Sequence, residues 1–194
     1  MKARMISAAF LVFLMGAILM APHVAKADES AAWQALREGE AVLMLRHALA
    51  PGTGDPSNFE LGDCSTQRNL NDIGRDQARA WEPLLTRHGI TKARVFSSQW
   101  CRALDTAEGM NLGEVTEWTS LNSFFGNRGN GPEQTRETIE QVNDLSPGPP
   151  VVLVSHQVNT TALTGVYPGS NDGVIVGLPL SDNPNVLARV SPGR

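Results

Sequence analysis

Ala41-Val42-Leu43-Met44-Leu45-Arg46-His47 is the stretch on which the fold turns. Its five apolar residues run without alternation, the pattern of a short strand covered on both faces. Arg94-Val95-Phe96-Ser97 and Val151-Val152-Leu153-Val154 repeat it. Between the first two lies a helical segment from an Asn71 cap to Gly89, with Ile73, Ala80, Leu84 and Leu85 read as its apolar side. Further helices are expected from about Arg102 to Met110 and from Glu133 to Leu145, the latter stopped by Ser146-Pro147-Gly148-Pro149-Pro150. Residues 173–180 and 186–190 read as a closing pair of strands joined by Ser181-Asp182-Asn183-Pro184. Strands alternating with helices of these lengths predict one α/β domain, a mostly parallel sheet between two helical layers.

Ligands of such sheets collect beyond the carboxyl ends of the strands. There the sequence places Arg46 and His47 after the first strand, Arg102 at the helix start after the second, and Ser155-His156 after the third. One histidine after a strand is ordinarily a satisfied loop residue. Four such residues at equivalent ends of three strands are a candidate site. Arg87-His88-Gly89 is a control, because this second Arg-His pair falls in the last turn of a helix and reads as structural. Two arginines and two histidines suit a phosphate. Arginine forks pair with its oxygens, an unprotonated imidazole can attack phosphorus, and a second imidazole, once protonated, can hold the developing charge. A metal site fits less well, for no carboxylate stands at ligand spacing and the arginines would repel a cation.

With these residues in place, the chain resembles the histidine phosphatase (phosphoglycerate mutase-like) superfamily. Leu45-Arg46-His47-Ala48 is similar to its Arg-His-Gly hallmark, with alanine for glycine. Ser97-Ser98-Gln99-Trp100-Cys101-Arg102-Ala103-Leu104-Asp105-Thr106-Ala107 resembles its Ser-Ser…Arg-Ala…Thr-Ala segment, and Val154-Ser155-His156 its second histidine segment. The stretch from Arg68 to Ala78 is similar to its Arg-x-Leu-Thr-x-x-Gly-x-x-Gln-Ala helix start. The resemblance covers about residues 41–166. It implies a phosphohydrolase in which His47 becomes phosphorylated, with Arg46, Arg102 and His156 completing a phosphate pocket, and with no metal or organic cofactor. Arg68 is given no role.

The sequence departs from the family's pattern at the proton donor. One branch has an aspartate directly after the second histidine, where this chain has Gln157. The other has a glutamate between the second arginine and second histidine, where Leu121-Asn122-Ser123-Phe124-Phe125-Gly126-Asn127 carries no acid. Asp55, Asp63 and Glu133 are the substitutes in flanking loops, each read as a solvated loop charge, so the acid stays unassigned. A site with no acid would favour aryl phosphates, acyl phosphates or phosphohistidine, whose leaving groups need little protonation. Two other readings accompany the phosphohydrolase: a phosphatase for envelope sugar phosphates, and an anion-binding module without turnover. Loops 51–63 and 126–132 are the ones long enough to shape the pocket mouth.

Compartment and partners follow from the ends and the charge. Lys2 and Arg4 precede an uncharged apolar stretch from Met5 to Met20, and Ala25-Lys26-Ala27 supplies small residues at a cleavage site, so residues 1–27 read as a secretory signal peptide. The apolar core falls short of a membrane span. Cleavage would remove three of the 16 lysines and arginines and none of the 20 acids, leaving an acidic domain over residues 28–194 in the periplasm or outside the cell. Such a charge argues against nucleic acid or a membrane surface as partner and leaves a small phosphorylated substrate or a phosphorylated protein. In an oxidising compartment Cys64 and Cys101 are either a disulfide or two separate buried thiols.

Overall fold

The computed structural model describes residues 24–193. The first 23 residues of the expected signal peptide lie outside the described residues, and no helix among the latter is long and apolar enough to cross a membrane. The elements follow in the order α1 (Val24–Glu38), β1 (Ala41–Arg46), α2 (Asp72–Arg79), α3 (Trp81–Arg87), β2 (Arg94–Ser97), α4 (Cys101–Gly109), β3 (Val115–Glu117), α5 (Gly131–Asn143), β4 (Val151–Ser155), α6 (Gln157–Thr164), β5 (Gly173–Gly177) and β6 (Val186–Val190). They build one sheet of order β3-β2-β4-β1-β5-β6. The β3-β2, β2-β4 and β4-β1 pairings are parallel, while β5 and β6 close the sheet antiparallel. The sheet is therefore mixed and mostly parallel, as the sequence predicts.

Alternate residues of β1 feed two cores, which is why its apolar run is unbroken. Ala41, Leu43 and Leu45 pack with Trp33 and Leu36 of α1, Trp81 and Leu85 of α3, and Ala103 and Ala107 of α4. Val42 and Met44 face the other way, with Leu153, Val142 of α5 and Leu163 of α6. The result is the expected helix–sheet–helix sandwich.

The helix expected from Asn71 to Gly89 is two helices that meet at Ala80. Pro83 is the cause. It has no N–H for the carbonyl of Arg79, and its ring crowds that carbonyl, so the helix cannot pass through uninterrupted. Asn71 does cap α2, its side chain accepting from the Gly74 N–H at 2.8 Å. The buried face lies one residue round from the expected one, its spacing of four, three and four residues from Gly74 unbroken across Ala80. Ala78, Trp81 and Leu85 are buried, whereas Ile73 is 58% exposed. Helices α1 and α6 and the edge strand β3 add to the elements expected from sequence.

Candidate active site

Register brings the site together. Strand β4 lies between β1 and β2, with Arg46 opposite Ser155 and Ser97 opposite Val154. The His47 N–H donates to the Ser155 carbonyl at 2.9 Å, so the chain leaves the two central strands side by side and His47 faces His156, ring centroids 5.3 Å apart. Arg102 enters from the first turn of α4, just beyond β2. All four residues expected from sequence line one cavity of about 670 Å³. The first turn of α6, Gln157 and Val158, lines it too and turns the positive end of that helix toward it.

His47 is buried, 2% exposed. Its Nδ1 lies 2.7 Å from the carbonyl of Ala48, which can only accept, so Nδ1 carries the proton. Nε2 is then the bare nitrogen, and it accepts from Nε of Arg102 at 3.2 Å. Burial, then the neighbouring Arg102 charge, holds the imidazole pKa down at about 3, so the ring is neutral at any ordinary pH. His156 is buried as well, and burial followed by His47 and Arg102 keeps it well below the usual histidine range. Its Nε2 lies 2.8 Å from Ser98 Oγ, and the Ser98 hydroxyl reaches Asn122 Oδ1 at 3.2 Å. Asn122 Oδ1 only accepts, so the serine proton points there and His156 Nε2 donates to Ser98. That leaves Nδ1 as the nitrogen that can take a proton when an anion arrives.

The arginines are placed differently. Arg46 donates to the Pro168 carbonyl at 3.2 Å, and its buried Nε has no hydrogen-bond partner. Arg68, given no role from sequence, lines the same cavity and ties down loop 50–54 through the carbonyls of Ala50 and Gly54. Burial and then Arg102 lower its pKa to about 10. Arg102, 3% exposed, spends every nitrogen on the protein: Nε on His47, Nη1 and Nη2 on the two oxygens of Asp55 at 2.6 and 3.1 Å.

Asp55 is thus not the solvated charge that its loop position suggested. Its side chain is only 18% exposed, and Oδ2 also accepts from the Trp100 indole at 3.0 Å. Burial raises its pKa, but the bonds from Arg102 and Trp100 outweigh this and hold the carboxyl below the usual range. The other two candidates stay outside. Asp63 is exposed and caps a 3-10 turn at Cys64–Thr66, and Glu133 lies along a neighbouring groove beside Arg136. His88 is away from the cavity, stacked on Trp33 with centroids 4.2 Å apart.

Helix α2 explains why the Arg68–Ala78 motif accompanies the site. Gln77 Oε1 accepts the Leu49 N–H at 2.9 Å, two residues after His47. A Cβ on Gly74 would stand 2.2 Å from the Leu49 carbonyl oxygen, so only glycine lets the helix press against this segment. Cys64 and Cys101 form a disulfide, which joins the 3-10 turn to the residue before Arg102. Gln67, buried beside it, accepts the Cys101 N–H at 3.0 Å.

Fold and site together define an α/β protein with an arginine-and-histidine anion pocket. Residues 42–127 match the family described as the histidine phosphatase superfamily (branch 1), which supports the resemblance read from the sequence. No curated protein matches the chain. Solved structures of the same fold include the protein histidine phosphatase SixA complexed with tungstate, 20% identical, TM-score 0.55, covering 78% of this chain and 97% of that one. A mycobacterial glucosyl-3-phosphoglycerate phosphatase complexed with VO3 is 17% identical, TM-score 0.54, covering 76% and 96%. A phosphoserine phosphatase mutant from Entamoeba histolytica with phosphoserine is 12% identical, TM-score 0.55, covering 79% and 98%.

Proposed function

We propose that this chain is an exported phosphohydrolase that passes a phosphoryl group from a phosphorylated small molecule or protein to His47 Nε2, and from there to water. One observation carries the reading: a buried, neutral imidazole presents a bare nitrogen among Arg46, Arg102 and His156. Neutrality makes His47 a nucleophile, and the guanidinium groups hold the charge that develops on the phosphoryl oxygens. The proton that His156 takes on Nδ1 adds a further donor. The superfamily match, and fold relatives described as phosphatases with oxyanions or phosphoserine bound, support this reading.

The cavity mouth favours a sugar or similar polyhydroxylated leaving group. Trp100 stacks on Phe59 with centroids 5.0 Å apart, and Tyr167 and Phe125 stand exposed at the rim beside the neutral Asn127 and Gln157. Flat apolar faces interleaved with amides suit a ring of hydroxyls better than a charged peptide. The test is direct. The protein is mixed with para-nitrophenyl phosphate, quenched in alkaline denaturant and digested, and the phosphoryl mass increment should fall on the peptide that carries His47. Its absence there during turnover would overturn the reading. Export is checked by N-terminal sequencing, with a start near Asp28 expected. A stable full-length form held in the membrane would exclude the signal peptide.

A further inference from the structure

Asp55 is the one carboxylate among the described residues that line the cavity. It closes the fork of Arg102, whose remaining nitrogen touches the nitrogen read as the nucleophile. An incoming phosphoryl group cannot gain that fork without moving Asp55. Arg68 holds the Gly54 carbonyl just before it, so the backbone of the loop is fixed and it is the Asp55 side chain that turns away from Arg102. The groups that face Asp55 are Arg102 from α4, the Trp100 indole ahead of it, the backbone N–H of Arg68, and His47 behind Arg102.

From this geometry we propose that Asp55 is the proton donor to the leaving group, displaced from Arg102 by the substrate's phosphoryl oxygens and protonated beside them. The assignment rests on the phosphohydrolase reading above. Two anions that share one guanidinium cannot both stay ionised easily, so arrival of the phosphate favours a protonated Asp55. This proton comes from solvent, or with a substrate bound as its monoanion. The bond from His47 Nε2 to phosphorus then forms as the bond from phosphorus to the ester oxygen breaks. The bonding pair stays on that oxygen, which takes the Asp55 proton and leaves as the alcohol. In the second half the Asp55 carboxylate accepts a proton from water. The water oxygen bonds to phosphorus, the N–P bond breaks and its pair returns to Nε2. Alcohol and inorganic phosphate are released, and Asp55 is protonated as at the start.

Asp55→Asn keeps the shape and the Trp100 and Arg102 contacts of one oxygen but cannot donate an acidic proton. Turnover of an alkyl phosphate such as glucose 6-phosphate should fall about 10²–10⁴-fold. Turnover of para-nitrophenyl phosphate, whose leaving group is already a stable anion, should fall less than about tenfold, a bound set by the same argument. Equal losses on both substrates, or an unchanged alkyl rate, would overturn the assignment. The intact protein supplies a second measurement that needs no variant. Its phosphorylation rate across phenyl phosphates of rising leaving-group pKa should be nearly flat, and a steep fall would remove Asp55 from the role. Labelling separates the two levels. If His47 of the wild type is phosphorylated while Asp55→Asn spares alkyl turnover, only the assignment of Asp55 is wrong. If the wild type never phosphorylates His47, the phosphohydrolase reading fails and takes this one with it.

Discussion

Arg46-His47 and Arg87-His88 are one dipeptide in two settings. The first leaves β1 at the carboxyl edge of the sheet, where His47 is buried against a backbone carbonyl, a guanidinium and a second imidazole. The second closes α3, where His88 takes the last position before Gly89 at φ +78° and lies flat on Trp33. Both rings are pushed toward neutrality by burial. What separates them is convergence: parallel neighbours bring Arg102 and His156 to His47, whereas His88 at its helix end lies against the Trp33 indole with Arg37 on its backbone carbonyl. Composition of a motif is therefore less informative than the element that carries it.

Substitution of the two histidines is the sharpest way to break this contrast. His47→Ala should lower turnover by at least about 10⁴, the scale on which a covalent nucleophile is lost. The circular dichroism spectrum should remain folded. Residual activity within tenfold of the wild type would mean that the chemistry lies elsewhere. Next in size is Arg102→Ala. Loss of charge-assisted hydrogen bonds worth roughly 1.5–3 kcal/mol should weaken inhibition by vanadate about 10–100-fold. The same change leaves Asp55 without its guanidinium and should lower the melting temperature. Unchanged vanadate inhibition would take Arg102 out of the pocket.

Acid should separate the two pairs by stability. An unfolded histidine titrates near 6.5, whereas folded His47 titrates at about 3. Between these values the unfolded chain binds the extra proton, so stability is present above about pH 6.5 and is lost as pH falls toward 3. The slope is about 1.4 kcal/mol per pH unit for one such group, or roughly 2 kcal/mol by pH 5. His156 acts in the same direction. Denaturant midpoints between pH 7 and 5 should fall steeply for the wild type, less steeply for His47→Ala, and nearly as in the wild type for His88→Ala. An equally steep fall in His47→Ala would deny His47 its depressed pKa. The smallest effect is that of His88→Ala itself. Activity should stay within twofold, and loss of the stack on Trp33 should cost about 0.5–1.5 kcal/mol, read from the same midpoints. A dead His88→Ala beside an active His47→Ala would reverse the comparison.

How much was legible in the sequence depended on range. Strands β1, β2 and β4 announced themselves because both faces of each are buried, and a run of apolar residues records that locally. Their polar carboxyl ends then placed His47, Arg102 and His156 without any knowledge of contacts. Ile73 is exposed because the face of α2 that meets the protein is the one with Gly74 pressed on Leu49, one residue round from the side that hydrophobicity alone selects. Helix α1 went unrecognised although Trp33 and Leu36 are among the deepest side chains, since its stripe follows directly on the expected cleavage site. Asp55 was named among three loop acids, but its pairing was beyond reach for a different reason. Its partner lies 47 residues away, and a loop aspartate facing solvent and one facing a guanidinium have the same neighbours in the chain. The register of the Gly74 contact with Leu49 was hidden likewise, though the glycine itself stood in plain view.

The Cys64–Cys101 bond has a bearing on when this protein becomes itself. It joins residues 37 apart, and tying such a span removes freedom from the unfolded chain worth about 4 kcal/mol. That increment exists only where thiols oxidise, so one polypeptide has two different folding free energies, one with the thiols reduced and one with them joined. One end of the bond adjoins Arg102 and the other lies in the turn before Gln67 and Arg68. The wall of the pocket and the stability of the chain are thus fastened by the same oxidation event.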